Sequence, residues 1–303
     1  MLALTLGLIL GVGVAVSIEY FDTSFRNVAD IESQLGVPVV GVIPQFADAS
    51  AFDPDDLAAT EPFRVLHTSL NLLLPQKEST AIVIVSAGPG EGKSTTVNRL
   101  AGAIASSGHK VILIDGDMRR PTQHRLGNWK RSPGLSEYLH GKASLQEIVQ
   151  TAAGDGLNVI GSGSHSGFSF SLRHAERMRE LVAELKTTYD RVLFDSPPII
   201  GVSDASILAS CMDGALLLIQ HRRNPRAMTS RAQHILASAQ TPLIGAILNQ
   251  VPPDSGEDYG YYAHNYTYYG SGEGKRSKKS SSRDAATTEK NPPEHIDLHE
   301  TDK

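Results

Sequence analysis

Residues 81–95 read AIVIVSAGPGEGKST, a short apolar run followed by a loop with three glycines and a lysine. The run AIVIV is typical of a buried strand. Residues 96–107 carry apolar side chains three and four positions apart, which predicts a helix. The order strand, glycine loop, helix allows backbone amides and the positive end of the helix to surround a phosphate group. This stretch therefore predicts a phosphate-binding site.

The residue types in the loop point to a nucleotide with magnesium. A lysine at the position of Lys93 can reach the β and γ phosphates, and the hydroxyl of Ser94 can serve as a magnesium ligand. A glycine turn that arose by chance is the alternative when the loop is considered alone. The predicted nucleotide-binding residues of the loop are Gly88, Pro89, Gly90, Glu91, Gly92, Lys93, Ser94 and Thr95.

Aspartates follow two further apolar runs. Asp115 and Asp117 come after VILI, and Asp195 comes after VLF. The carboxyl ends of parallel strands meet at one edge of a sheet, where ligands collect. Aspartate is also a common turn former at strand ends, so either group alone is a weak signal. Carboxylate oxygens suit Mg²⁺, and with the glycine loop the aspartates predict a shared nucleotide and magnesium site.

The middle of the chain alternates apolar runs with segments of helical length. This alternation predicts an α/β fold in which a parallel sheet carries helices on both faces. The strand-like runs are VPVVGVI, AIVIV, VILID, LNVI, RVLFD, GALLLI and LIGAIL.

The two ends of the chain differ from the middle. Residues 1–18 read MLALTLGLILGVGVAVSI, and at 1.5 Å per residue they would span about 27 Å, which predicts a short transmembrane helix. A buried core helix is the alternative, and a signal peptide is disfavoured because no basic residue precedes the apolar run. Residues 253–303 are rich in glycine, serine, proline and charge, which predicts a disordered tail.

Composition excludes some classes of protein. The 303 residues include 28 lysines and arginines against 33 aspartates and glutamates, a formal charge of −5 that disfavours a nucleic-acid partner. The single cysteine, Cys211, cannot form an internal disulfide, which favours a reducing compartment.

The three motifs together resemble a known group of proteins. The glycine loop, DGDMRRP at 115–121 and DSPP at 195–198 are similar to those of the deviant P-loop ATPases. That group contains the Min and Par positioning ATPases and the bacterial tyrosine autokinases of capsule and exopolysaccharide synthesis. The positioning ATPases carry a lysine where this chain has Gly88. The kinase branch lacks that lysine, as this chain does. The kinase branch also resembles this chain in the helix EPFRVLHTSL at 61–70, in DSPPIIGVSDA and in the tyrosine-rich tail.

The resemblance implies partners and a location. The helix at 61–70 implies a ring-like homo-oligomer, although His67 stands where the family has the last of its arginines. The first 18 residues look like the last membrane helix of a polysaccharide co-polymerase, which implies that partner and the inner (cytoplasmic) membrane, with the catalytic domain in the cytoplasm. A tyrosine phosphatase is a further implied partner, and Asn249 lies where the family contacts the base of ATP.

These observations predict four segments. They are a transmembrane helix at 1–18, a juxtamembrane linker with an oligomerisation helix at 19–78, a P-loop ATPase or kinase domain at 79–252, and a tyrosine-rich tail at 253–303. Six of the nine tyrosines fall within eleven residues of that tail. A low-complexity segment that packs on a partner is the alternative to an acceptor cluster. The predicted phosphoacceptors are Tyr259, Tyr261, Tyr262, Tyr266, Tyr268 and Tyr269.

The functional hypothesis is a tyrosine autokinase that uses ATP and Mg²⁺ and regulates polysaccharide synthesis. Lys93, Asp115, Asp117 and Asp195 are the candidate catalytic residues, and Ser94, Asp115 and Asp195 are the candidate metal ligands. The sequence does not decide which aspartate accepts the proton of the tyrosine. The alternatives are a Min/Par-like positioning ATPase at a membrane and a non-catalytic, nucleotide-bound scaffold of a polysaccharide polymerase.

Overall fold

The computed structural model describes residues 3–13 apart from 4 and 8, residues 24–46 apart from 26, and residues 57–74, 78–152, 156–164 and 170–252. In this part of the chain, eight strands form one sheet in the order β1-β8-β7-β2-β6-β3-β5-β4. The strands are β1 (Val39–Pro44), β2 (Thr80–Ser86), β3 (Val111–Asp115), β4 (Val149–Thr151), β5 (Leu157–Ile160), β6 (Arg191–Asp195), β7 (Gly214–Gln220) and β8 (Leu243–Val251).

The sheet confirms the predicted α/β fold. All strand pairs are parallel except β4 with β5. The seven strand-like runs of the sequence all fall on strands. The short strand β4 was not predicted, because its three residues are not buried and show no apolar run.

Helices connect the strands. Among the described residues from 24 onward, the α-helices are α1 (Val28–Leu35), α2 (Leu57–Leu73), α3 (Lys93–Ser106), α4 (Gln123–Leu126), α5 (Leu135–Leu139), α6 (Leu145–Ile148), α7 (Ala175–Lys186), α8 (Ser203–Ala209) and α9 (Arg226–Ser238), and a 3₁₀ turn spans Leu172–His174.

The helices lie on both faces of the sheet, as predicted. Every residue of β2 is buried, and its alternate side chains pack into two hydrophobic cores on the two faces of the sheet. Ile82 and Ile84 face the core under α2 and α3, whereas Val83 and Val85 face the core under α1, α7, α8 and α9. Each fully buried aliphatic side chain contributes roughly 1.5–3 kcal/mol, so this central strand fixes the position of the loop that follows it.

The sheet extends beyond the domain limit expected at residue 79. β1 lies in the predicted linker, yet it pairs in parallel with β8. The helix α1 precedes it. Its N-cap is Asn27, whose side chain accepts from the amide of Asp30 at 2.7 Å, and its C-cap is Gly36 with φ of 66°. Part of segment 19–78 is thus built into the sheet, and the division into four segments stays a prediction.

The predicted transmembrane helix is not confirmed. Helical residues occur between Ala3 and Gly13, and residues 14–18 lie outside the described residues. Within the described part of the chain, no helix combines the length and the apolar character that crossing a membrane requires. The tail at 253–303, with its six tyrosines, also lies outside the described residues.

The structure places the side chain of His67 inside the chain, and the ring-like oligomer that the resemblance implied stays a prediction. His67 is a residue of α2, is 6% exposed, and its side chain faces the end of α3. Its Nε2 is 2.7 Å from the side-chain Nδ2 of Asn71, and its Nδ1 is 3.2 Å from the hydroxyl of Ser107. Burial, with His109 and Arg191 nearby, lowers the pKa of His67. His67 is therefore an internal packing residue of α2.

Candidate active site

The glycine loop joins the buried strand β2 to the first residue of α3. Gly90 and Gly92 have φ of 74° and 98°, which a residue with a side chain rarely adopts. A Cβ on Gly92 would lie 2.3 Å from the side-chain Nδ2 of Asn249. Both glycines are therefore required for the path of the loop, which leaves a backbone cradle at the start of α3.

Lys93 lies inside this loop. Its side chain is 7% exposed, and its Nζ donates to the hydroxyl of Ser86 at 2.8 Å. Burial lowers the pKa of Lys93, while the nearby carboxylates of Asp195, Glu91 and Asp117 act in the opposite direction. The ammonium group is thus held beneath the loop and close to acidic groups.

The ends of two neighbouring strands bring Asp115 and Asp195 together. The two residues are register partners of β3 and β6, and both are fully buried. Gln123 connects them to the loop, because its Nε2 donates to Asp195 Oδ2 and to the carbonyl of Ser94, both at 2.9 Å. The nearby side chain of Ser94 acts to lower the pKa of Asp195. The amides of Thr122 and Gln123 donate to Asp115 Oδ2, each at 3.1 Å.

The electrostatics of this pair favour a cation between the strand ends and the loop. Burial raises the pKa of Asp195 to about 6 and raises that of Asp115 well above its usual range, where the neighbouring Asp195 adds to the effect. In each carboxylate, Oδ1 is buried without a hydrogen-bond partner in the described part of the chain. Two unsatisfied carboxylate oxygens beside a serine hydroxyl are donors that Mg²⁺ prefers.

The donor set fits magnesium rather than a metal held entirely by protein. No group of three or more His, Cys, Asp or Glu residues suited to a metal ion occurs among the described residues. Mg²⁺ is usually bound through one or two carboxylates, with water and substrate phosphates completing its coordination. The residues present therefore match what a magnesium–nucleotide complex requires.

Asp117 differs from the other two aspartates because it lies partly exposed at the surface of the site. Its Oδ1 accepts the amides of Arg119 at 3.2 Å and Arg120 at 2.9 Å. The guanidinium of Arg119 forms two hydrogen bonds with Asp204 at the start of α8, at 2.8 and 3.2 Å. This ion pair ties the loop that carries Asp117 to α8.

Glu91 connects the glycine loop to two other segments. Its side chain is 2% exposed, and its Oε1 accepts from the amide of Gly88 and from Asn224 Nδ2. Asn249 Nδ2 donates to the carbonyl of Glu91 at 2.8 Å. Asn249 is therefore beside the loop, and its contact with the base of ATP, which the resemblance implied, stays a prediction.

The structure brings most of the predicted site residues to one edge of the sheet. The loop residues 88–95, Asp115, Asp117, Asp195 and Asn249 are all in or next to this site, whereas the six tail tyrosines lie outside the described residues. Sequence reasoning missed Ser86, Gln123 and Asn224. These neutral residues carry no motif, and only the fold shows that their side chains contact Lys93, Asp195 and Glu91.

The amino-acid sequence of this chain is similar to those of known proteins. A family model described as an AAA domain matches residues 79–235. The tyrosine-protein kinase YwqD of Bacillus subtilis (strain 168) is 36% identical over 203 residues, which cover 67% of this chain and 86% of YwqD. The tyrosine-protein kinase Etk of Escherichia coli (strain K12) is 34% identical over 204 residues, which cover 67% of this chain and 28% of Etk.

A solved structure extends the similarity to three dimensions. The tyrosine kinase domain of BceF superimposes with a TM-score of 0.65 at 29% sequence identity, covering 76% of this chain and all of that domain, 100%. From its sequence relatives and this site, the chain belongs to the family of bacterial tyrosine-protein kinases with a P-loop ATPase core.

Proposed function

We propose that this chain transfers the γ-phosphoryl group of ATP to tyrosines of its own tail. The observation that supports the proposal most strongly is the convergence of Lys93, Ser94, Asp115 and Asp195 beneath a glycine loop, with buried carboxylate oxygens left unsatisfied. Phosphoryl transfer requires mainly positioning and charge neutralisation, which is what such a site offers.

The loop and Lys93 bind the phosphates. The amides of the loop other than that of Gly88, with those of the first turn of α3, would donate to phosphate oxygens, and the Lys93 ammonium would balance their charge. Ser94, Asp115 and Asp195 would hold Mg²⁺, which neutralises charge on the β and γ phosphates when it is bound. The hydrogen bonds from Gln123 orient Asp195, and the amides at 122 and 123 orient Asp115, before any nucleotide arrives.

Asp117 is the better placed of the two remaining candidates to accept the phenol proton. One carboxylate oxygen of each residue accepts two backbone amides, but Asp115 is fully buried, whereas Asp117 is partly exposed at the rim. As the phenol oxygen bonds to the γ-phosphorus, the bond from phosphorus to the bridging oxygen of ADP breaks. The phenol proton passes to the carboxylate of Asp117, and ADP leaves.

The position of the tail supports tyrosine acceptors. β8 is parallel to β7, which is parallel to β2, so β8 ends at the same edge of the sheet as the glycine loop. From Pro252 to Tyr269, an extended chain reaches about 55–60 Å at about 3.3 Å per residue. The acceptor tyrosines can therefore reach the site of a neighbouring subunit.

We further propose that the kinase works at the inner membrane in polysaccharide synthesis. The apolar segment 1–18 supports a membrane anchor beside a polysaccharide co-polymerase. A ring-like homo-oligomer would present the tail of one subunit to the next, and a tyrosine phosphatase would reverse the modification.

The proposal is tested by incubating purified protein with ATP and Mg²⁺ and following phosphotyrosine and free phosphate together. The wild type should form phosphotyrosine, and Lys93→Met should lower its rate at least about a hundredfold, because one charged group that contacts the transferring phosphate is lost. Lys186→Met is the matched control, since Lys186 pairs with Asp213 at 2.6 Å outside the site. Release of free phosphate without phosphotyrosine would indicate a positioning ATPase instead.

A further inference from the structure

The side chain of Arg223 contacts the glycine loop, although no sequence motif includes this residue. It belongs to the connection between β7 and α9, and its Nη1 is 3.3 Å from the carbonyl of Gly90 and 2.7 Å from Oε1 of Gln220. A Cβ built on Gly90 would lie 3.8 and 3.9 Å from the two terminal nitrogens of Arg223. The guanidinium group is thus in van der Waals range of the loop that surrounds the phosphates.

The connection that carries Arg223 is fixed to the loop by its neighbour in sequence. Asn224 is 5% exposed, and its side chain donates to the buried Glu91 carboxylate at 2.8 Å. The amide of His221 donates to the carbonyl of Asn249 at 2.9 Å, which attaches the other side of the connection to β8. The base of the Arg223 side chain is therefore held in place, while its guanidinium group is exposed at the mouth of the site.

The hydrogen bonds of Arg223 are with the neutral oxygens of Gly90 and Gln220, and its charge also acts on the nearby Glu91 carboxylate. A guanidinium group forms stronger, often paired hydrogen bonds with phosphate than with a carbonyl or an amide oxygen. Asp195, Glu91 and Asp117 are the acidic groups near the Lys93 ammonium, so an arriving polyphosphate meets a surplus of negative charge. A second cation at the mouth would offset that surplus.

We propose that Arg223 binds the polyphosphate of the nucleotide and makes the site prefer the triphosphate to the diphosphate. On binding, the guanidinium group exchanges Gly90 O and Gln220 Oε1 for oxygens of the terminal phosphate, which carries the largest share of the charge. This inference rests on the proposed function only in requiring that the site binds ATP.

Nucleotide titration tests the inference without requiring kinase activity. Fluorescent ATP and ADP analogues are titrated with Mg²⁺ into the full chain and into Arg223→Ala and Arg223→Gln. We expect ATP affinity to fall about tenfold, equal to about 1.4 kcal/mol, and ADP affinity to fall much less. Arg223→Lys keeps a point charge without the paired donors and should lie between the wild type and Arg223→Ala.

Arg222→Asn is the matched control. Arg222 is the adjacent exposed arginine, and its φ of 51° is one that asparagine tolerates. The control loses the same charge and should keep the ratio of ATP to ADP affinity. Equal weakening of both nucleotides in folded Arg223→Gln, or the same change of ratio in Arg222→Asn, would overturn the inference. A changed ratio in a chain that forms no phosphotyrosine would uphold it while refuting the proposed function.

Discussion

Gly92 shows how one residue determines whether the phosphate loop can form. Its φ of 98° is unfavourable for any residue with a side chain, and a Cβ there would meet the Asn249 side chain, which already bonds to the Glu91 carbonyl. The glycine is needed for two independent reasons, backbone conformation and the close approach of β8.

We expect Gly92→Ala to weaken nucleotide binding at least about tenfold, because strain of roughly 1–3 kcal/mol must be relieved by moving the loop. Gly102→Ala is its control in the same helical unit, since no atom lies within 4 Å of a Cβ at Gly102. That helical substitution should keep nucleotide binding and raise the free energy of unfolding by about 0.5–1 kcal/mol. Calorimetric nucleotide titration and thermal unfolding measure both effects, and unchanged affinity in Gly92→Ala would contradict this account of the loop.

At the scale of elements, the docking of α2 on α3 depends on an internal polar contact. His67 lies among Asn71, Ser107 and His109, whose ring centroid is 5.3 Å away. An arginine at this position would bring a permanent charge and additional volume into a buried site near Arg191.

We expect His67→Arg to lower the free energy of unfolding by about 2 kcal/mol, since overpacking and an unpaired buried charge are both unfavourable. Arg64→Ala is the control on the exposed face of α2, where the ion pair with Glu61 at 3.7 Å should contribute less than about 1 kcal/mol. Chemical unfolding measures both variants. Unchanged stability of His67→Arg together with tighter self-association in sedimentation would restore an intersubunit role for this position.

A second element depends on pH. Glu137 in α5 accepts from Ser164 Oγ at 2.5 Å, from the Ser164 amide at 2.9 Å and from the Gly134 amide at 2.8 Å. Burial alone would raise the pKa of Glu137, but these hydrogen bonds outweigh it and lower the pKa from 4.5 to about 2. The carboxylate therefore joins α5 to the segment after β5.

The depressed pKa gives this contact a defined pH range. Its stabilisation is fully present above pH 4.5 and is lost as the pH falls from 4.5 toward 2. Glu137→Gln should be less stable than the wild type by on the order of 2 kcal/mol at neutral pH, with the difference shrinking through that range. Denaturant unfolding at several pH values tests this, with the exposed Glu176→Gln as control. A pH-independent difference would show that the charge of Glu137 is not responsible.

At the scale of the whole molecule, the sequence was sufficient for the order of strands and helices around the site. The buried parallel strands are continuous apolar runs, and motif residues follow them directly, so both the fold and the sites of Lys93, Asp115 and Asp195 could be predicted. The same reasoning could not place His67, because helical spacing does not tell which neighbour covers a polar side chain. It also missed Arg223 and Gln123, since long-range contacts join segments that are far apart in sequence.

The direction of β8 determines where the tail begins relative to the active site. β8 ends at Val251 on the edge where the glycine loop and the three aspartates lie, so the tail begins next to the active site. Tyr138 and Tyr189, in contrast, are each 9% exposed and packed in the core. The fold therefore protects Tyr138 and Tyr189 from phosphorylation.

Mass spectrometry of the purified chain after incubation with ATP and Mg²⁺ tests the central claim most directly. We predict phosphate on the tail tyrosines and none on Tyr138 or Tyr189, which serve as internal controls. Six Tyr→Phe substitutions in the tail should abolish phosphotyrosine and leave nucleotide binding unchanged, because they remove only the acceptors. A tail without phosphate in protein that binds ATP and Mg²⁺, or phosphate that persists on the chain after those six substitutions, would contradict the account.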